Sequence, residues 1–286
     1  MEQWYTLAVV ALFFLGVQRF LYKVSAERRC NSAWTSFSFM GTVAFLSTVL
    51  FFALDETVHD TGFLLFIALA NSLTFFMATM SNMEALKRIP VGVAYPIIRL
   101  NAAIVVIFSI FYFGDNLSVY QGMGILLALV AVVILARDTS EKHGSGGSRR
   151  LGFLFMGISI LAGALAAISS KFAALYTNKM AFMALSYTFA TFISFGFRKK
   201  AQSPDANTHH KDALIIGFFM GLINLAGFYC YLKALTTGPL SIITSITAMH
   251  FVIAIILSTL IYKEKLNRWQ ITGMLLSMTS ILLLRL

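Results

Sequence analysis

An arginine at position 99 lies deep inside a long apolar stretch, where a charged side chain is costly and usually marks a ligand site or a paired charge. Gly92 and Tyr95 precede it at spacings that place all three residues on one face of a helix. Pro96 lacks a backbone N–H and frees a carbonyl about one turn earlier. Because a guanidinium matches carboxylate and phosphate groups, we predict that Arg99, with Tyr95 and Gly92, binds an anionic ligand group. The alternative is a structural arginine paired with carbonyls of neighbouring helices.

A second apolar stretch is rich in hydroxyl groups and contains a histidine. Ser241, Thr244 and Ser245 are predicted to contact the same ligand, although such hydroxyls also bond to their own helix. His250 is a candidate carrier of a proton, because an unperturbed imidazole titrates near neutral pH. A neutral histidine with both nitrogens satisfied is the alternative. Asn101 takes the corresponding position in the first stretch and joins the predicted site.

Lys171 completes the set of candidate site residues. It follows Ser159, Gly163 and Ala167 at four-residue intervals, and a row of small residues favours close helix packing. We expect the lysine either to close this seam or to project into the mouth of a ligand cavity.

The sequence has no pattern for metal or covalent chemistry. His209 and His210 are adjacent in a polar segment, with no third ligand at a useful spacing. The chain lacks the glycine-rich phosphate loop of nucleotide hydrolases, and no paired acids or activated nucleophile lie near the apolar stretches. We therefore predict no metal, no cofactor and no enzymatic activity. The middle of each apolar stretch also lacks Asp and Glu, which disfavours exchange of a cationic drug for a proton at a buried carboxylate.

The composition is that of a membrane protein. Of the 286 residues, 58% are hydrophobic and 12% are charged, whereas soluble domains carry about 25% charged residues. This excludes a soluble enzyme, a disordered protein and a nucleic-acid-binding domain. Ten stretches are long enough to cross the bilayer, and satisfying the backbone in lipid requires that they be helices. These stretches are 4–23, 34–54, 62–84, 90–113, 119–136, 151–173, 180–197, 213–233, 239–262 and 268–285.

Basic residues are distributed unevenly among the connections. Most of the 22 Lys and Arg residues lie between stretches 1 and 2, 3 and 4, 5 and 6, 7 and 8, and 9 and 10. Because cytoplasmic loops hold the excess of Lys and Arg, these connections are predicted to be cytoplasmic and both termini outside. The predicted location is the cytoplasmic membrane.

The two halves of the chain repeat each other. A shift of 149 positions without gaps aligns Pro90 with Pro239, Gln121 with Gln270, and an acid with an acid. The sequence thus divides into a five-helix repeat over 1–136, a flexible linker over 137–150 and a second repeat over 151–286. Five is an odd number, so the repeats enter the membrane from opposite sides, as in many transporters. Rocking one repeat against the other would then give alternating access; the alternative is an old duplication kept for stability.

Several motifs occur once in each half. Ala-Leu precedes Pro90 and Pro239, an apolar span ends at 114–117 or 263–266, and Gln-x-x-Gly follows. These paired motifs resemble the repeat of the EamA family of the drug/metabolite transporter superfamily, over spans 3–5 and 8–10 by motif and over the other spans by layout. The resemblance implies a ten-helix fold of two five-helix repeats, a central cavity and transport of small metabolites, often export.

Together these features predict an all-α membrane protein with ten transmembrane helices in two inverted five-helix repeats. The predicted function is secondary transport, with export favoured, of a small anionic or zwitterionic metabolite such as an amino acid. The alternatives are a flippase for an anionic lipid-linked headgroup and a proton-coupled exporter of cations or drugs. The expected partners are a small-molecule substrate and the lipid bilayer, without nucleic acid, and a monomer is the simplest assembly.

Overall fold

The computed structural model describes residues 3–28, 30–86, 88, 98, 100–137, 149–197, 210–263 and 267–286. These residues form helices and turns, with no strand among them. A π-helical turn, Ser109–Phe113, continues the fourth helix. The helices are α1 (Gln3–Glu27), α2 (Ser32–Ala53), α3 (Thr61–Leu86), α4 (Asn101–Phe108), α5 (Val119–Arg137), α6 (Arg149–Tyr176), α7 (Lys179–Phe197), α8 (His210–Thr237), α9 (Leu240–Ala248), α10 (His250–Tyr262) and α11 (Arg268–Leu283).

The helices coincide with the predicted spans to within about one turn, apart from two differences. Of the span 90–113, the structure describes a helical part over Asn101–Phe113, and the span 239–262 consists of two helices instead of one. Six spans in the described part are long and apolar enough to cross a membrane, and three shorter apolar helices accompany them. The predicted helical membrane architecture is confirmed at this level.

Large apolar side chains cover the outside of the bundle. Phe111 is 85% exposed, Phe192 72% and Phe52 71%. Soluble proteins rarely expose contiguous apolar surface of this kind, whereas acyl chains would cover it without cost. The interior combines branched aliphatic side chains with many alanines and small polar residues, and the small residues allow helices to approach closely.

The start of α10, after the break in the ninth span, has a counterpart in the start of α4. Met249, with φ −83° and ψ 8°, separates α9 from α10, and Leu100, with φ −62° and ψ −10°, precedes α4. The repeat register of 149 positions superimposes Leu100 on Met249. In each unit a helix therefore begins at the same point of the fourth span, with Asn101 or His250 as its first residue.

The same register relates the two helix ends that follow. Gly114 closes the π-helical turn with φ 66°, and Lys263 closes α10 with φ 54°. A left-handed backbone suits glycine but is strained for lysine, because the Cβ approaches the following carbonyl. Both repeats thus have a left-handed residue at this position, but only the first repeat has the glycine that favours this conformation.

We expect opposite effects from exchanging these residues. Gly114→Lys should lower the free energy of unfolding by about 1 kcal/mol, since a Cβ at Gly114 would meet nothing within 4 Å and only the backbone is strained. Lys263→Gly should raise it by a smaller amount, because glycine loses more backbone entropy on folding. Thermal unfolding of the detergent-purified variants measures both effects, and a loss of stability with Lys263→Gly would contradict this explanation.

The helices of the first unit (α1–α5) pack against those of the second unit (α6–α11) in a reciprocal pattern. α1 packs on α8 and α10, whereas α6 packs on α3 and α4. α2 contacts α8 as α7 contacts α3. Further contacts between the units join α2 to α7 and α5 to α11, which are equivalent helices. Exchanging the two units thus maps each of these contacts onto another, as a twofold relation between them requires.

Candidate substrate site

The polar groups that the structure brings together form two clusters. The mid-bundle cluster consists of Arg19, Thr247 and His250 and lies at the break between α9 and α10. The end cluster consists of Ser109, Asp115, Lys171 and Ser241 and lies where α4, α6, α8 and α9 meet, at the end of the bundle that carries the α2–α3 and α6–α7 connections.

The imidazole of His250 has a defined hydrogen-bond arrangement. Its Nδ1 lies 2.7 Å from the Thr247 carbonyl oxygen, so Nδ1 carries the proton and donates it. The guanidinium Nε of Arg19 donates to its Nε2 at 3.0 Å. His250 is therefore neutral, with one nitrogen acting as donor and the other as acceptor.

Arg19 is an exposed cation near the middle of a membrane span. It lies about 6 Å along α1 from the midpoint of that helix, and its guanidinium carbon is 5.7 Å from the centre of the Tyr22 ring. The adjacent Gln18 is buried and accepts a hydrogen bond from Asn224, whose own oxygen accepts one from Tyr187. This buried network fixes the rotation of α1 and with it the direction in which Arg19 projects.

A glycine allows α1 to approach the helix break closely. A Cβ added to Gly16 would lie 2.6 Å from the His250 carbonyl oxygen and would also collide with Ile253. The counterpart in the other unit is Gly163 on α6, where a Cβ would lie 2.9 Å from Nδ2 of Asn101. Each break is thus packed against a glycine in the first helix of the opposite unit.

The end cluster satisfies the ends of two successive helices with opposite charges. Lys171 is buried, and its ammonium donates to the carbonyl oxygens of Leu235 (2.6 Å) and Gly238 (2.9 Å) at the end of α8. Asp115 accepts hydrogen bonds from the backbone N–H (3.1 Å) and hydroxyl (2.6 Å) of Ser241 in the first turn of α9. A cation at a helix C-terminus and an anion at a helix N-terminus both interact favourably with the helix dipole.

A cavity of about 550 Å³ opens at the same end of the bundle. The α2–α3 connection lines it with Glu56, and the α6–α7 connection lines it with Lys179. Burial lowers the pKa of Lys179, which lies just outside its predicted span; Glu56 opposes this shift and Lys233 adds to it. The cavity therefore presents both signs of charge to a solute. Its other lining residues include Asp55, His59, Asp60, Tyr176, Asn178 and Tyr229.

The predicted site residues have different positions. Arg99, Tyr95 and Gly92 lie outside the described residues, as does most of the predicted linker 137–150. Lys171 and Ser241 belong to the end cluster, and His250 belongs to the mid-bundle cluster, about 13 Å further along the ninth span than Ser241.

The three remaining predicted site residues make local contacts. Ser245 is buried and donates to the Ser241 carbonyl. Thr244 lies beside the Tyr231 hydroxyl, without hydrogen-bond geometry. Asn101 packs on Gly163. The described residues of the predicted site are thus distributed over more than one place, and their role in binding stays a prediction. No three His, Cys, Asp or Glu side chains are grouped for a metal ion in the described part of the chain.

Sequence reasoning missed two charged residues of these clusters. Arg19 lies four residues before Lys23, a position from which a long side chain can extend to the lipid headgroups, yet it donates to His250, 231 positions away. Asp115 was visible as the repeat counterpart of Glu264, but its bond to Ser241 crosses between the units. An acid at the same place in both repeats was the signal that could have identified it.

Comparison with known proteins identifies a family whose model matches this chain. The model of the EamA-like transporter family matches residues 2–137 and again residues 150–286, which confirms the resemblance of the paired motifs. One solved crystal structure of a protein has the same fold: the TM-score is 0.76 and the identity 14%, and the alignment covers 96% of this chain and 95% of that chain. No curated protein matches the chain in sequence.

Proposed function

The chain belongs to the EamA-like transporter family, a family of membrane transporters for small molecules, and on this premise we propose that it transports a small anionic or zwitterionic metabolite, with export favoured. The mechanism is alternating access between two inverted five-helix repeats that together provide ten transmembrane helices. The site of action is the cytoplasmic membrane, with the basic connections on the cytoplasmic side.

The mid-bundle cluster is the observation that carries this proposal. Arg19 is exposed at the depth of a helix break, and its partner His250 begins the helix that follows. A charged side chain inside a membrane span is energetically costly, and such residues usually mark a substrate pathway or are paired with another group. Helices interrupted near the bilayer midplane are typical of transporter sites, because their free ends and nearby side chains contact the solute.

The inverted arrangement has independent support. The contacts between the units are reciprocal, and the helix breaks and the left-handed residues recur at equivalent positions. Two such units can pack in two related ways, one open to each side of the membrane, which is the physical basis of alternating access.

Transport into proteoliposomes tests the proposal. Uptake of a mixed pool of labelled amino acids and organic acids should exceed that of protein-free vesicles. Arg19→Ala should reduce it by about 10- to 100-fold, because a lost hydrogen bond to a charged group costs about 1.5–3 kcal/mol.

Lys23→Ala is the matched control, since Lys23 lies one turn further along α1 with its ammonium over Tyr262. It should retain most of the uptake. Arg19→Lys keeps the charge but not the planar fork and should fall between the two variants. Equal transport by Arg19→Ala and the unmodified protein, with both equally stable to heat, would remove Arg19 from the site.

A further inference from the structure

The two hydrogen bonds of the His250 imidazole in the mid-bundle cluster require that only one of its nitrogens carries a proton. With Nδ1–H donated to Thr247 and Nε2 accepting from Arg19, neither nitrogen can take up a proton without a rearrangement. A proton on Nε2 removes the acceptor of the Arg19 hydrogen bond. It also places a second positive charge about 3 Å from the guanidinium nitrogen, and two such charges repel strongly away from water.

An anion resolves this conflict. Among the described residues, the guanidinium of Arg19 donates one hydrogen bond, from Nε to the imidazole. A guanidinium has five N–H donors, and its fork binds the two oxygens of a carboxylate side by side. A carboxylate between Arg19 and a doubly protonated His250 would accept from both cations and neutralise one of the two charges.

We propose that Arg19 and His250 together form a site that binds one proton and one carboxylate group at the same time. This inference rests on the proposed function and specifies it: the substrate carries a carboxylate, and its binding is linked to the binding of a proton. Without the proton, Arg19 is held by the imidazole; with the proton, the guanidinium is released to the substrate. Because binding is linked in both directions, the anion also favours uptake of the proton.

In the described part of the chain, Arg19 is the charged side chain that contacts His250. Of the helices that the structure describes, α1 and α9 pack on α10, and the sequence of α9 has no charged or titratable side chain. α1 contributes Arg19 and Lys23, with Tyr22 under the guanidinium. Lys23 contacts the ring of Tyr262, at the far end of α10 from His250.

Thermal unfolding of the full chain in detergent measures this linkage without knowledge of the substrate. The probes are sodium acetate and sodium L-glutamate, each compared with sodium chloride at equal ionic strength between pH 5.5 and 8. A ligand that binds only the folded protein raises the unfolding temperature. We expect the probes to do so at the acidic end, with an apparent affinity that weakens by up to about tenfold per pH unit as the pH rises.

Two variants separate the proton from the anion. His250→Gln retains an oxygen that can accept from Arg19 but cannot take up a proton, so the pH dependence should disappear. Arg19→Gln removes the cation, so the effect of both probes should be lost at every pH. Lys23→Gln is the matched control and should behave as the unmodified protein. In weakly buffered solution with a pH indicator, binding should take up nearly one proton per anion, and none in His250→Gln.

The outcomes distinguish this inference from the proposed function. Anion binding that is independent of pH and unchanged in His250→Gln would overturn the coupling while leaving Arg19 as a substrate residue. Binding that survives in Arg19→Gln, or no binding of either probe by the unmodified protein at any pH, would overturn the site itself. Transport of the metabolite pool is measured separately, so its presence or absence decides the proposed function.

Discussion

Replacing Lys171 by methionine is expected to lower the free energy of unfolding by about 3 kcal/mol, because removing one member of a buried charged group leaves its partners unsatisfied. The carbonyl oxygens of Leu235 and Gly238 lose their donor at the end of α8, where the helix itself supplies none. Asp115 loses the cation with which it interacts electrostatically. Methionine has a similar length and is apolar, so the effect reports on the charge and not on a cavity.

A double-mutant cycle measures the interaction energy between Lys171 and Asp115. Asp115→Asn alone weakens the bonds to both serines, but in the background of Lys171→Met it should cost at least about 1 kcal/mol less than in the unmodified protein. Lys179→Met, at the same end but facing the open cavity, is the control and should change stability little. Additive effects of Lys171→Met and Asp115→Asn in thermal unfolding would show that the two charges do not support each other.

The second large effect is expected from Gly16→Ala. The added Cβ would lie 2.6 Å from a backbone oxygen and against the Cβ of Ile253, neither of which can move away as a flexible side chain can. α1 must then move away from α10, which stretches the hydrogen bond between Arg19 and His250. We expect a loss of about 1–3 kcal/mol of stability, the usual cost of overpacking, and a larger loss of transport than the instability explains.

Two other glycines provide a graded comparison on one helix. At Gly163 the obstacle is the end of the Asn101 side chain, which can rotate, so Gly163→Ala should cost less than Gly16→Ala. At Gly157 a Cβ would meet nothing within 4 Å, and alanine there should be neutral or stabilising, since it favours the helix. Thermal unfolding and proteoliposome uptake should rank the three variants in this order; equal effects would mean that close approach at the break is unimportant.

The fold could be read from the sequence because bilayer thickness and backbone hydrogen bonding leave few choices. Apolar length alone located the helices to within about one turn, and the 149-residue register related Leu100 to Met249 and Gly114 to Lys263. The break at Met249 was not predicted, since no proline interrupts the helix there. The break lies where α1 approaches α10 closely, and such a tertiary contact cannot be recognised from a local sequence pattern.

The candidate site was less accessible to sequence reasoning for the same reason. The hydroxyl groups and the histidine of the ninth span are predicted to form one site. In the structure, Ser241 contacts Asp115 whereas His250 contacts Arg19. These partners are 126 and 231 positions away in the chain, and which of them meet depends on how the units pack. A local pattern identifies a polar residue inside a membrane span, but it does not identify the residue that satisfies it.

The bonds of Asp115 constrain how the two halves of the protein can move. One oxygen of this side chain accepts from Ser109 of its own unit and from Ser241 of the other. Hydrogen bonds of this kind depend on both distance and angle, so movements that separate or tilt these groups are opposed at this place. Asp115 therefore links the two units at the end of the bundle that carries the α2–α3 and α6–α7 connections.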